Sequence, residues 1–153
     1  LNTWYRFAIT SAVPSSGMTI DEFASPVGAD FAEIEERARL ASHGFTYSQL
    51  NSDGVPHVTG RAFFREMARG HISGELHGLL KVAFHRDTHT LLGVHIIGQG
   101  ATELIHIGQS VLTYGGTVEY FVHNVFNYPT MAECYRTAAL DGLNRLHRQS
   151  PPQ

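Results

Sequence analysis

The sequence predicts an α+β fold in two layers, an antiparallel β-sheet with helices packed on one face. Three observations point that way. Between Leu80 and Ile96 apolar residues alternate with polar or small ones on both sides of the polar turn Arg86-Asp87-Thr88-His89, which is the pattern of a β-hairpin. From Ala101 the apolar spacing changes to that of helices, and Thr130 with Glu133 forms a Thr-x-x-Glu capping box ahead of a last helical stretch. A strand pair with one aliphatic face must be covered, and the helices that follow it are the available cover.

Each element has its own signal. Asp30 to His43 reads as a helix: Asp30 stands at the N-cap, Glu33 completes a capping box, and Gly44 is a C-terminal stop. Phe31, Ile34, Ala38 and Ala41 would share its apolar face. Gly44 to Gly54, with its Asn-Ser-Asp-Gly end, reads as loop and turn, and Val55 to Phe64 as extended chain. In the hairpin Leu80, Val82 and Phe84 alternate with Lys81, Ala83 and His85, and Leu92, Val94 and Ile96 with Gly93 and His95. Leu104, Ile105, Gly108, Val111 and Leu112 make a helical stripe that stops at Gly115-Gly116, after which Thr117 caps a short helix through His123. The final helix starts behind Pro129 and runs to about His147. Domain limits follow: residues 1–17 are an unplaced N-terminal segment, disordered or added to the native protein; 18–147 are one domain; 148–153 are a flexible tail.

Bulk properties narrow the function. The 153 residues, 42% of them apolar, fit one domain with a core of its own. A net charge of −3 with 11 scattered Lys and Arg lacks the basic footprint of a nucleic-acid binder. No apolar run approaches the ~20 residues that span a bilayer, and residues 1–16 make a poor signal peptide, so a cytoplasmic setting is expected. A start at Leu1 suggests a piece of a longer protein.

Several apparent sites weaken on inspection. Gly98-Gln99-Gly100-Ala101-Thr102-Glu103 follows a strand and opens a helix as a dinucleotide loop does, but its third glycine is Glu103 and its strand belongs to an antiparallel hairpin. The ten histidines are scattered: His85 and His89 lie across a turn, His71 and His77 flank Gly74 in a loop, and His95 and His106 have no carboxylate or cysteine at ligand spacing. No metal is expected. Cys134, the single cysteine, excludes an internal disulfide and reads as buried filler instead of a nucleophile.

Phe126-Asn127-Tyr128-Pro129-Thr130-Met131-Ala132-Glu133, followed by Cys134-Tyr135-Arg136, resembles the C-terminal dimerisation domain of flavin-dependent pyridine nucleotide-disulfide oxidoreductases. Phe84-His85-Arg86-Asp87-Thr88, Leu92-Gly93-Val94-His95, residues 101–109, Thr117-Val118-Glu119-Tyr120-Phe121 and residues 138–145 carry the same resemblance in the same order. It is close from Gly60 to Leu146 and weaker upstream, where Thr19-Ile20-Asp21-Glu22 has Asp21 in place of a proline and Val27-Gly28 fits the next turn. Residues 1–17 and Ser48 to Val55 match nothing in the pattern.

The resemblance implies roles. Disulfide-reducing members read His-Pro-Thr with Glu three residues later; their His is the acid/base for a thiol pair in the partner subunit, and the Glu orients it. Here Tyr128 holds the His position. With an ordinary pKa near ~10, against ~6.5 for histidine, it is a poor proton shuttle at neutral pH. The Asn-Tyr-Pro-Thr-Met-Ala-Glu form resembles the soluble NAD(P)+ transhydrogenase branch, which passes hydride through FAD without a disulfide. Tyr128, Pro129, Thr130 and Glu133 are then flavin-proximal across a homodimer, with Glu133 explained as well by its capping box. Tyr128-Pro129 is a place to look for a cis peptide. Met131, Tyr135, Ala138 and Leu143 on the last helix are interface candidates, for which a core role is equally consistent. FAD and NAD(P) would be held by upstream domains and neither by this chain alone. Two alternatives are a stand-alone self-associating domain and the matching domain of a disulfide reductase such as dihydrolipoamide dehydrogenase.

Overall fold

In the computed structural model, which describes residues 7–10 and 39–149, five strands form one antiparallel sheet in the order β1-β2-β5-β4-β3. They are β1 (Phe7–Thr10), β2 (Arg39–Gly44), β3 (His57–Phe63), β4 (Leu79–His85) and β5 (Leu91–Gly98). The helices are α1 (Tyr47–Ser52), α2 (Ala68–Ser73), α3 (Ala101–Thr113), α4 (Glu119–His123) and α5 (Glu133–Gln149). The strand register places Ala41, Ile96, Leu80 and Ala62 in one row across the sheet, and His43, Val94, Val82 and Gly60 in the row two residues on. Side chains two apart in a strand share a face, so these rows look the same way. That face is covered by α3 over β5 and β2, and by α5 over β3 and β4. Ile105, Val111, Phe121, Tyr135, Ala138 and Ala139 close the core against Val82, Phe84, Val94 and Ile96.

The seat of α5 on β3 is the tightest contact in the fold. A Cβ on Gly60 would land on the Ala138 carbonyl oxygen and lie 2.6 Å from the Gly142 nitrogen. One on Gly142 would lie 2.5 Å from the Phe84 ring. Two glycines facing each other let helix backbone meet strand backbone. Beside this seat, Asp141 accepts the Arg61 backbone N–H at 2.9 Å and the Arg145 Nε–H at 3.0 Å. Because β3 ends the sheet order, that N–H faces away from the ladder, and a helix carboxylate supplies the missing acceptor.

The other face holds a polar buried bridge. His95 Nε2 lies 3.0 Å from the Phe45 carbonyl oxygen, which can only accept, so Nε2 carries the proton and Nδ1 accepts from Ser42 Oγ at 2.6 Å. Burial, opposed by the Phe45 hydrogen bond and reinforced by the Lys81 charge, lowers the His95 pKa to about 4. Toward this face lies the short α1, whose Tyr47 ring meets the Lys81 ammonium at 4.9 Å.

The structure corrects several expectations. Arg39 to His43 is strand, because it pairs with Gly98 to Val94, and Ala41 belongs to the sheet; Phe31, Ile34 and Ala38 lie outside the described residues, as does the entry motif at residues 19–28. The supposed loop between Gly44 and Gly54 contains α1, closed by a complete capping box of Thr46 and Gln49. Val118, not Thr117, is the N-cap of α4, and His71 sits in α2 instead of a loop. Of the expected residues 1–17, Phe7–Thr10 is a strand paired with β2.

Two measurements check this account. Helix propensity alone predicts that Gly142→Ala stabilises by about 1 kcal/mol; the Phe84 contact reverses the sign, so the denaturant midpoint should fall by the equivalent of about 1–3 kcal/mol. Unfolded His95 takes up a proton near pH 6.5 and the folded form only near pH 4, so stability falls across that window by roughly 3 kcal/mol as the solution is acidified. His95→Gln should flatten the pH profile of unfolding between those values.

Candidate functional site

Residues 124–132 join α4 to α5 and carry the sequence-predicted site. The Tyr128-Pro129 peptide bond is cis. Tyr128 is 75% exposed, whereas Pro129, Thr130 and Glu133 are half-buried. Thr130 Oγ1 donates to the Asn127 carbonyl at 2.7 Å, which ties the two ends of the cis turn together. Glu133 Oε2 accepts the Thr130 backbone N–H at 3.2 Å. This is the glutamate half of the expected capping box, while the Thr130 hydroxyl donates to Asn127. Glu133 therefore holds the loop backbone at the helix start.

The loop is fixed from both flanks. On the α5 side, the Tyr135 hydroxyl donates to the Leu104 carbonyl at 2.7 Å and accepts the Gly108 N–H at 3.1 Å. Those two groups are the i and i+4 partners that an α-helix ordinarily joins directly, so the hydroxyl is built into the α3 ladder. Gly108 leaves room for it: a Cβ there would be 3.0 Å from that oxygen. The Phe121 ring stacks on Tyr135 at 4.8 Å and anchors α4 to the same point. On the α4 side, His89 at the tip of the β4–β5 hairpin pairs with Glu119, and the Val118 N–H donates to the His89 carbonyl at 2.9 Å. Burial pushes the Glu119 pKa up, but hydrogen bonds from Thr117 and His89 outweigh it and hold the carboxyl below its usual range.

Burial sorts the interface candidates, of which Met131 lies in the loop before α5 and the others on the helix. Tyr135 and Ala138 are wholly buried in the chain's own core, which removes them from its outer surface; Met131 and Leu143 are partly buried against the same core. Sequence spacing shows which residues share a helix face but not whether that face meets sheet or solvent. The exposed apolar groups here are Tyr114, Tyr120, Val125, Tyr128 and Leu140, and sequence reading found only Tyr128 among them.

The remaining chemistry is quiet. Cys134 is buried, and desolvation, aided by the Glu66 and Glu133 charges, pushes its thiol up to about 12, far from a reactive thiolate. At Gly98-Gln99-Gly100, β5 is antiparallel to both neighbours and Gly100 begins α3 with φ +75°. A phosphate loop instead requires a parallel crossover unit. Among the described residues no group of three His, Cys, Asp or Glu side chains is placed to hold a metal, and no helix is long and apolar enough to cross a membrane.

Residues 36–139 match the family model of the pyridine nucleotide-disulphide oxidoreductase dimerisation domain. The chain belongs to that family. Among its relatives, the soluble pyridine nucleotide transhydrogenase of Hahella chejuensis is 50% identical over 110 residues, covering 70% of this chain and 24% of the relative. That of Marinobacter nauticus is 44% identical over 135 residues, covering 86% of this chain and 29% of the relative. The dimerisation domain thus spans about a quarter of the length of the curated relatives it matches. Of solved structures, LpdA from Mycobacterium tuberculosis superimposes with a TM-score of 0.62 at 25% identity, over 66% of this chain and 22% of that one. The flavoprotein disulfide reductase RclA from Escherichia coli gives 0.63 at 21% identity, over 66% and 23%, a likeness of fold.

Removing the Tyr135 hydroxyl leaves the Leu104 carbonyl and Gly108 N–H to find each other across a displaced turn. Tyr135→Phe should therefore lower stability by about 1–3 kcal/mol, read as a shift of the thermal or denaturant midpoint.

Proposed function

We propose that this dimerisation domain works as the subunit-joining part of an FAD-dependent NAD(P)+ transhydrogenase, in a cytoplasmic homodimer, with its cis turn against the flavin of the other subunit. The observation that carries the reading is the exposed Tyr128 on a rigidly held turn, in a sequence about half identical to named transhydrogenases. Bound on domains upstream of this one, FAD would accept hydride from NADPH and deliver it to NAD+. This chain contributes shape. Glu133 and the Thr130 hydroxyl hold the turn, and Tyr128 stands exposed on it.

Proton transfer to a thiol pair is a poor fit. The residue before Pro129 is a tyrosine, a poor proton shuttle at neutral pH. The disulfide reductases among the structural relatives share the fold, and the side chain at position 128 separates their chemistry from the one proposed. Self-association follows from the exposed apolar groups Tyr114, Tyr120, Val125, Tyr128 and Leu140, which water solvates poorly.

The 153-residue chain should sediment as a dimer that buries on the order of 1,600 Å² or more, and Leu140→Asp should shift it toward monomer; a monomer at high concentration contradicts the proposal. In the longer protein, NADPH-dependent reduction of an NAD+ analogue should survive Tyr128→Phe within about threefold, because ring and backbone are kept and no proton is relayed there. A drop of several hundredfold with Tyr128→Phe would assign an acid/base role to the hydroxyl instead.

A further inference from the structure

The stretch Ser48 to Val55, part of α1 and the loop after it, borders a cavity. Helix α1 and the loop after it stand off β3, leaving a space of about 370 Å³ lined by Tyr47, Leu50, His57, Val58, Arg86 and Arg145 among others. That volume suits a small organic molecule. Its wall is firm: α1 is closed by the Thr46 and Gln49 capping box, the Val55 N–H donates to the Leu50 carbonyl at 2.9 Å, and the Arg86 N–H joins the hairpin turn to the Pro56 carbonyl at 3.0 Å. Tyr47 and His57 meet edge to face at 5.1 Å and form an aromatic corner, with Leu50 buried beneath.

Charge in this space is one-sided. None of the lining residues is acidic, while two are arginines. Arg86 is exposed and its guanidinium has no hydrogen-bond partner among the described residues. Arg145 is anchored through Nε on Asp141, so its two terminal nitrogens stay available, and Asp141 is already shared with the Arg61 backbone. Arg61 adds a third nearby cation: burial, then the Arg145 charge, lowers its pKa against the pull of Asp141. His57 Nδ1 donates to the Val55 carbonyl at 2.8 Å, which leaves Nε2 as a further polar contact.

We propose that this cavity binds a small flat-ringed organic anion, with its ring in the Tyr47–His57 corner and its phosphate or carboxylate held by Arg86 and Arg145. The site shares no residue with the turn at residues 128–133 and stands or falls independently of the transhydrogenase reading. Guanidinium groups pair with either anion through two parallel N–H bonds, and the aromatic corner accepts a ring edge or face.

Calorimetric titration of the full 153-residue chain with adenosine 5′-monophosphate, benzoate and inorganic phosphate tests this. One of the two ring-bearing probes should bind more tightly than inorganic phosphate, and which of them it is assigns the acid group. Arg86→Ala, which removes an exposed side chain and should leave the melting temperature unchanged, should weaken that probe by about tenfold or more. Tyr47→Leu should weaken it too, without affecting inorganic phosphate. No binding of either ring-bearing probe up to about 10 mM would overturn the proposal. So would affinities equal to that of inorganic phosphate, or unchanged by Arg86→Ala.

Discussion

The close approach of α5 to β3, glycine against glycine at Gly60 and Gly142, governs the rest of the domain. With any side chain at either position the helix would ride away from the sheet, because the obstacles are the Ala138 carbonyl, the Gly142 backbone and the Phe84 ring in a packed core. Only at this depth can Asp141 reach the outward N–H of Arg61 and the Tyr135 hydroxyl enter the α3 ladder. The N-terminal end of α5 is also the end of the cis turn. Backbone contact in the core thus sets where Tyr128 stands at the surface, and the turn needs few bonds of its own.

A division of labour follows from this arrangement. Residues that look inward from α5, among them Cys134, Tyr135, Ala138 and Ala139, are wholly consumed in holding the helix down. Those that look outward, such as Arg136, Leu140 and Asn144, are free to meet another molecule. The neighbouring loop continues this outward set through Val125 and Tyr128. A dimerisation domain requires this separation, because an interface residue that also carried the monomer's core could not change without unfolding it.

Much of this was legible in the sequence where one local signal dominates. Alternation gave the β4–β5 hairpin, helical period gave α3, and the Pro129-Thr130 start gave α5 with its turn. Failures came where local signals compete with distant partners. Gly44 imitates a helix stop, yet Arg39 to Gly44 pairs along β5, and long-range hydrogen bonding overrides local preference. Thr46 and Gln49 were a capping box in plain view, masked by the turn residues Asn51 to Gly54 that end the same short helix. Gly60 and Gly142 are 82 positions apart, and neither shows from sequence alone that the other lies against it. The cavity at Arg86 and Arg145 was hidden for the same reason.

The central claim is that a helix seated by backbone contact presents the 124–130 loop and the outer side of α5 to a second copy. Hydrogen exchange on the isolated chain, followed across dilution, addresses it most directly. Amides of residues 124–130 and those around Leu140 should be protected in concentrated solution and lose protection together as the dimer dissociates, while Tyr135 to Ala139 stay protected throughout. Exchange at 124–130 that is indifferent to concentration, or protection of Tyr135 to Ala139 that disappears along with it, would contradict the account.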